Sequence, residues 1–105
     1  MAAIRVQGKR LVVGGAIGYQ AAGRFAEACG QFMAGAGRLG GAIDLSGVGE
    51  LASPGLAAVY DAARLHRPAD LSLVVPERLA LLFAPGEIEG LFTVKTRGER
   101  PEPGG

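Results

Sequence analysis

Two short apolar runs, Ala42-Ile43-Asp44-Leu45 and Leu71-Ser72-Leu73-Val74-Val75, are each followed by a proline placed to open a helix, Pro54 and Pro76. Proline is favoured there because its ring presets the helical φ and its missing N–H would have no partner in the first turn. A strand that feeds a helix, twice in succession, constrains the fold more than any bulk property does. Strands joined through helices lie parallel in one sheet, with the helices packed on it.

The rest of the chain extends this pattern. Ile4–Gln7 and Leu11–Val13 are β-prone runs separated by Gly8-Lys9-Arg10, which reads as a hairpin turn. Ala22, Phe25, Ala26, Cys29, Phe32 and Met33 recur at three- and four-residue steps, the spacing of an amphipathic helix, and Gly35 closes it. Ala42–Leu45 is short and largely apolar, as in a strand covered on both faces, with a turn around Gly47 and Gly49. Ser53 is placed as the N-cap of the next helix and Pro54 at its first position, with Leu56, Val59, Tyr60 and Ala63 as the apolar stripe. Pro76 opens a third helix with Leu79, Leu82 and Phe83 inward, and Ala84-Pro85-Gly86 is expected to break it before a last strand, Phe92–Thr96. The order β-β-α-β-α-β-α-β predicts a single α/β domain over residues 1–96, with a mixed sheet of about five strands. Residues 97–105, with almost no apolar content, read as a frayed, disordered tail.

Composition excludes several alternatives. With 105 residues there is room for one domain, and 49% hydrophobic residues with 20% charged is a globular balance. The net charge of +1 argues against direct binding of nucleic acid. A lone cysteine, Cys29, rules out an internal disulfide and supplies no zinc site, so it reads as a core residue, and no metal or cofactor is expected. No apolar run is long enough to span a bilayer, which gives no direct membrane contact and a cytoplasmic expectation.

The segment AIDLSGVGELASPGLAAVYDAAR, the later LFAPGEIEGLFTV and the element order resemble the STAS domain of bacterial anti-sigma-factor antagonists, from about Ile4 to Thr96. In that family an apolar strand, Asp-Leu-Ser and a turn lead into Asp-Ser-Ser/Thr-Gly-Leu. GGAIGYQAAGRF is similar to the family's Gly-Glu-Leu-Asp segment before its first helix. The resemblance implies a non-enzymatic regulatory module that binds an anti-sigma factor with serine-kinase activity and so releases a sigma factor. It also implies that Ser53 is the phosphoacceptor, and that Gly18, Tyr19, Ala52, Ser53, Pro54 and Gly55 form the partner-binding surface. This chain departs from the family pattern at three positions: Ala52 stands for Asp, Pro54 for the second hydroxyl residue and Gly18 for the Asp of Gly-Glu-Leu-Asp. Those changes keep open a second role for the same fold, a STAS subunit bound to a transporter ATPase in a membrane-associated complex, with no phospho-switch. Oligomeric state is not legible.

Other chemistry is weak. Asp44 has no second carboxylate or histidine beside it in sequence, and it reads as a tie for the following turn through Ser46 or backbone N–H groups. His66, the only histidine, reads as a solvated helix end beside Arg64 and Arg67. The glycines of VVGGAIG match no phosphate-loop spacing and read as turn and strand-end residues. A small enzyme built on Asp44 or Ser53 would require a concave pocket around them.

Overall fold

The computed structural model describes residues 2–97. It is an α/β domain with a five-stranded mixed sheet and three helices: β1 (Ala3–Gln7), β2 (Arg10–Ile17), α1 (Tyr19–Ala34), β3 (Ala42–Leu51), α2 (Ser53–His66), β4 (Ser72–Pro76), α3 (Glu77–Ile88) and β5 (Thr93–Arg97). Strand order follows the sequence from β1 to β5, with β1 antiparallel to β2 and every later neighbour parallel. Gly8 sits at φ +61 in the β1–β2 turn, where a two-residue hairpin of this kind requires glycine at its first position.

Because the parallel strands advance in one direction, right-handed crossovers place all three helices on the same face of the sheet. The burial pattern follows. Leu11, Val13, Ile43, Leu45, Leu73 and Val75 are buried beneath the helices with Phe25, Cys29, Phe32, Met33, Val59, Ala63 and Phe83. The opposite face carries Arg5, Arg10, Val12, Asp44, Ser72, Val74 and Lys95, so β3 and β4 are covered on one face rather than two. Cys29 is a core residue as expected, and burial pushes its thiol up to about 12, which keeps it protonated and unreactive.

Three boundaries differ from the sequence expectations. Strand β5 includes Arg97, and the remainder of the expected tail, residues 98–105, lies outside the described residues. Helix α3 runs through Pro85 to Ile88, and Leu82 is exposed, so its inner face is Leu79, Phe83 and Gly86. Proline in a helix removes one rung of the backbone ladder and crowds another. Here the hydroxyl of Tyr60, from α2, repairs the neighbouring rung: the Gly86 N–H donates to Tyr60 Oη at 3.1 Å, and Tyr60 Oη donates to the Leu82 carbonyl at 2.8 Å. A side chain thus takes the place of the i to i−4 bond between Gly86 and Leu82.

The third difference shapes the end of the sheet from which α1 and α2 start. Strands β2 and β3 do not stop at Val13 and Leu45 but continue as a parallel pair to Ile17 and Leu51. The pairing shifts register twice, between Val12 and Gly14 and between Gly15 and Ala16, so β3 carries two more residues than β2 over the same length. Gly14, Gly15 and Gly47 are therefore paired strand residues beside the register shifts, Gly49 is the unpaired residue of the second, and none of them makes a turn.

Asp44 fastens the first bulge. Its Oδ1 accepts the Ser46 N–H at 2.9 Å and the Ser46 hydroxyl at 2.6 Å, and Oδ2 accepts from Arg10 Nη2 at 3.2 Å. Burial disfavours the charged carboxylate, but the two Ser46 hydrogen bonds and the Arg10 guanidinium outweigh it, and the pKa lies below the usual carboxylate value. A depressed folded-state pKa contributes stability that is fully present above the unfolded-state value of about 4. That contribution is lost as pH falls through the folded-state value. Asp44→Asn is accordingly expected to cost about 1–3 kcal/mol at neutral pH. The gap to the parent should narrow in acid, which urea midpoints measured from pH 7 down to pH 3 would reveal.

Candidate functional site

The site arises from the register of β2 and β3. At Arg10 and Ala42 the paired residues are offset by 32 positions, at Gly14 and Gly47 by 33, and from Ala16 and Glu50 to Ile17 and Leu51 by 34. Carried one step further, that register sets Gly18 beside Ala52, and then Tyr19 beside Ser53. Each pair occupies equivalent places: Gly18 is the N-cap of α1 and Ala52 the N-cap of α2, while Tyr19 and Ser53 are the first residues of those helices. Without the two bulges, Tyr19 would face Leu51 instead.

Ser53 is thus not the N-cap expected from sequence. The strand continues to Leu51, and the Ala52 backbone is held on both sides: its N–H donates to the Ile17 carbonyl at 2.8 Å, and its own carbonyl accepts the N–H groups of Gly55 at 2.9 Å and Leu56 at 3.1 Å. Ala52 takes the extended conformation of a cap, and no side chain caps α2. Pro54 falls at the second helical residue rather than the first, where its absent N–H is still without consequence.

The Ser53 side chain is therefore exposed and not engaged in capping. Its Oγ stands 3.5 Å from the hydroxyl of Tyr19, a contact at the outer limit of hydrogen bonding. Tyr19 is 75% exposed, a large apolar ring held in solvent beside a free hydroxyl. Behind them Gly55 is buried against Leu51 and Ile17 with no room for a side chain: a Cβ there would lie 2.8 Å from Leu51 Cδ1 and 3.0 Å from Ile17 Cγ2. Gly18 has open space around it. Gly18, Tyr19, Ala52, Ser53, Pro54 and Gly55 therefore lie together at the paired starts of α1 and α2.

One anchor here was missed by the sequence reading. Arg78, at the start of α3, donates from Nη2 to the Val48 carbonyl at 2.8 Å and ties the far half of β3, which has lost β4 as a neighbour, to the third helix. An arginine two residues after Pro76 is the only signal the sequence offers for it.

Other chemistry does not assemble. Asp44 lines a shallow hollow of about 270 Å³ on the open face, but both carboxylate oxygens are taken by Ser46 and Arg10. His66 ends α2, half-buried against Gly30 rather than fully solvated, and about 20 Å of helix separates it from Ser53. Among the described residues, no group of three or more His, Cys, Asp or Glu could hold a metal ion, and no helix is long and apolar enough to cross a membrane.

Neither a scan against protein-family models nor a search of curated proteins finds a match for this chain.

The empty cap of α2 gives a direct stability test. Ala52→Asp places an acceptor at an N-cap and a negative charge at a helix start, and should raise stability by about 0.5–2 kcal/mol, read as a shift in the urea midpoint.

Proposed function

We propose that this chain is a non-enzymatic protein-binding module of the STAS, anti-sigma-factor-antagonist type, docking through the paired starts of α1 and α2. The observation that carries the reading is the exposed Ser53 hydroxyl at the first residue of α2, relieved of capping by the Ala52 backbone and set beside the exposed Tyr19 ring. An aromatic ring with a polar tip is a favoured anchor in protein interfaces. Ser53 is the phosphoacceptor in this reading, and the partner is an anti-sigma factor with serine-kinase activity. Phosphorylation adds about −1.5 to −2 charges. The phosphate receives little local support, because Pro54 has no N–H, the Gly55 N–H is already donated to Ala52, and Glu50 lies on the same strand end. Its charge is therefore directed at the partner, where it opposes docking.

The experiment is a pull-down with wild-type and Ser53→Asp proteins as parallel baits, partners being identified by mass spectrometry and affinities then measured. The expected result is an anti-sigma kinase bound by wild type at least tenfold more tightly than by Ser53→Asp. The three departures at Gly18, Ala52 and Pro54 leave room for the alternative, a constitutive STAS subunit on a transporter ATPase. In that case both baits would recover the ATPase equally.

A further inference from the structure

Among the described residues the sheet has two free edges, and they differ in how they are guarded. At β5, Val94 directs its outward N–H to a Glu87 carboxylate oxygen at 3.1 Å, and the strand carries Lys95 and Arg97. Charged side chains and a blocked donor are how proteins prevent an edge from pairing. Strand β1 is less guarded: its outward N–H groups have no side-chain acceptor among the described residues, Arg5 is its one charge, it pairs regularly over five residues with no proline and no bulge, and Val6 is 55% exposed on its helix-facing side. Between that side and α1 runs a groove of about 300 Å³ lined by Ile4, Val6, Leu11, Ala28, Phe32 and Ala36.

Helix α1 runs alongside β1 in the same direction, since both are antiparallel to β2. The groove therefore continues toward the start of both elements, where a hollow of about 490 Å³ is lined by Ala2, Ala16, Gly18, Tyr19, Gln20 and Arg24. Arg5 flanks the groove from the open face and Arg24 lines the second hollow. Among the described residues the one carboxylate lining the open-face hollow with Arg5 is Asp44, which is already engaged by Arg10 and Ser46.

We propose that the β1 edge accepts an extended segment of a partner protein as a sixth strand, with alternate apolar side chains in the β1–α1 groove and acidic side chains between them beside Arg5. Main-chain bonds to an unpaired edge supply affinity in this mode, and alternate side chains supply specificity. A second copy of the chain fits poorly. Full antiparallel overlap of two β1 strands about a two-fold axis sets Arg5 against Arg5 of the other copy, and like charges directly opposite destabilise a pair.

The test uses a fluorescein-labelled peptide, Thr-Glu-Val-Glu-Val-Glu-Thr, and its counterpart with lysine in place of glutamate, followed by anisotropy and by amide hydrogen exchange. The acidic peptide should bind at least tenfold more tightly than the lysine peptide. At saturation it should slow exchange of the outward β1 amides at least tenfold. Arg5→Glu, a change at an exposed position, should reverse the preference. Three results would overturn the proposal: no protection of β1, a peptide preference unchanged in Arg5→Glu, or β1 protection that rises with protein concentration in the absence of peptide, which would assign the edge to a second copy. Ser53→Asp should bind the acidic peptide within twofold of wild type, so loss of the Ser53 switch would leave this result standing.

Discussion

Replacing Phe83 by alanine is expected to lower the unfolding free energy by about 3–5 kcal/mol. Phe83 is fully buried and is the centre of an aromatic cluster, stacked on Tyr60 with centroids 6.2 Å apart and edge-on to Phe92 at 6.1 Å. Tyr60 and Phe92 also meet edge-on at 5.7 Å. Removing the ring forfeits its transfer free energy and leaves a cavity between α2, α3 and β5. The neighbours cannot collapse freely into it, because Gly86 is already packed so closely on Phe92 that an added Cβ would meet the ring at 2.2 Å. The loss reaches the backbone as well, since Tyr60 loses the ring that positions its hydroxyl in the interrupted ladder of α3. Tyr60→Phe separates the two effects by keeping the packing and deleting only the hydroxyl, and is expected to cost about 1–2 kcal/mol. Urea unfolding of both variants, with hydrogen exchange at the Gly86 amide, checks the prediction. Equal losses in the two variants would contradict it.

This cluster also shows where the sequence was legible and where it was not. Period and length alone identify the strand–helix alternation, because each element must bury one face, and the five strands, three helices and their order follow from that requirement. Pro85 misleads because its local effect is to break a helix, and what prevents the break comes from Tyr60 on another helix. Leu82 misleads because the rotation of α3 is set by the Phe83–Tyr60–Phe92 packing rather than by the count of leucines. The glycines at 14, 15, 47 and 49 read as a turn since glycine marks turns and bulges alike, and only pairing between β2 and β3 distinguishes them. The candidate site inherits that ambiguity. Ser53 and Pro54 read correctly as a helix start, but the two-residue register shift that places Tyr19 beside Ser53, and gives the cap to Ala52, is a property of two strands together.

The second large effect is expected at Gly55. Gly55→Val should destabilise the domain by about 2–3 kcal/mol, as extra methyl groups forced into a packed core do. The first added carbon already falls within 2.8 Å of Leu51 and 3.0 Å of Ile17, and Ile17 is fully buried and ends β2. Leu51 can swing aside in part, whereas Ile17 can move only with the strand end that accepts the Ala52 N–H. The strain is therefore relieved by separating β2 from the start of α2, the junction that brings Tyr19 and Ser53 together. A variant of this kind should lose partner binding out of proportion to its stability, because at a temperature where it remains folded the two halves of the proposed docking surface no longer share one register. Gly18→Ala provides the contrast at the equivalent place on α1: an added Cβ meets nothing within 4 Å, so stability should change little. Thermal unfolding with partner affinity measured well below the midpoint tests the pair. Retention of full affinity in Gly55→Val would mean that the Tyr19–Ser53 approach is not what the partner reads.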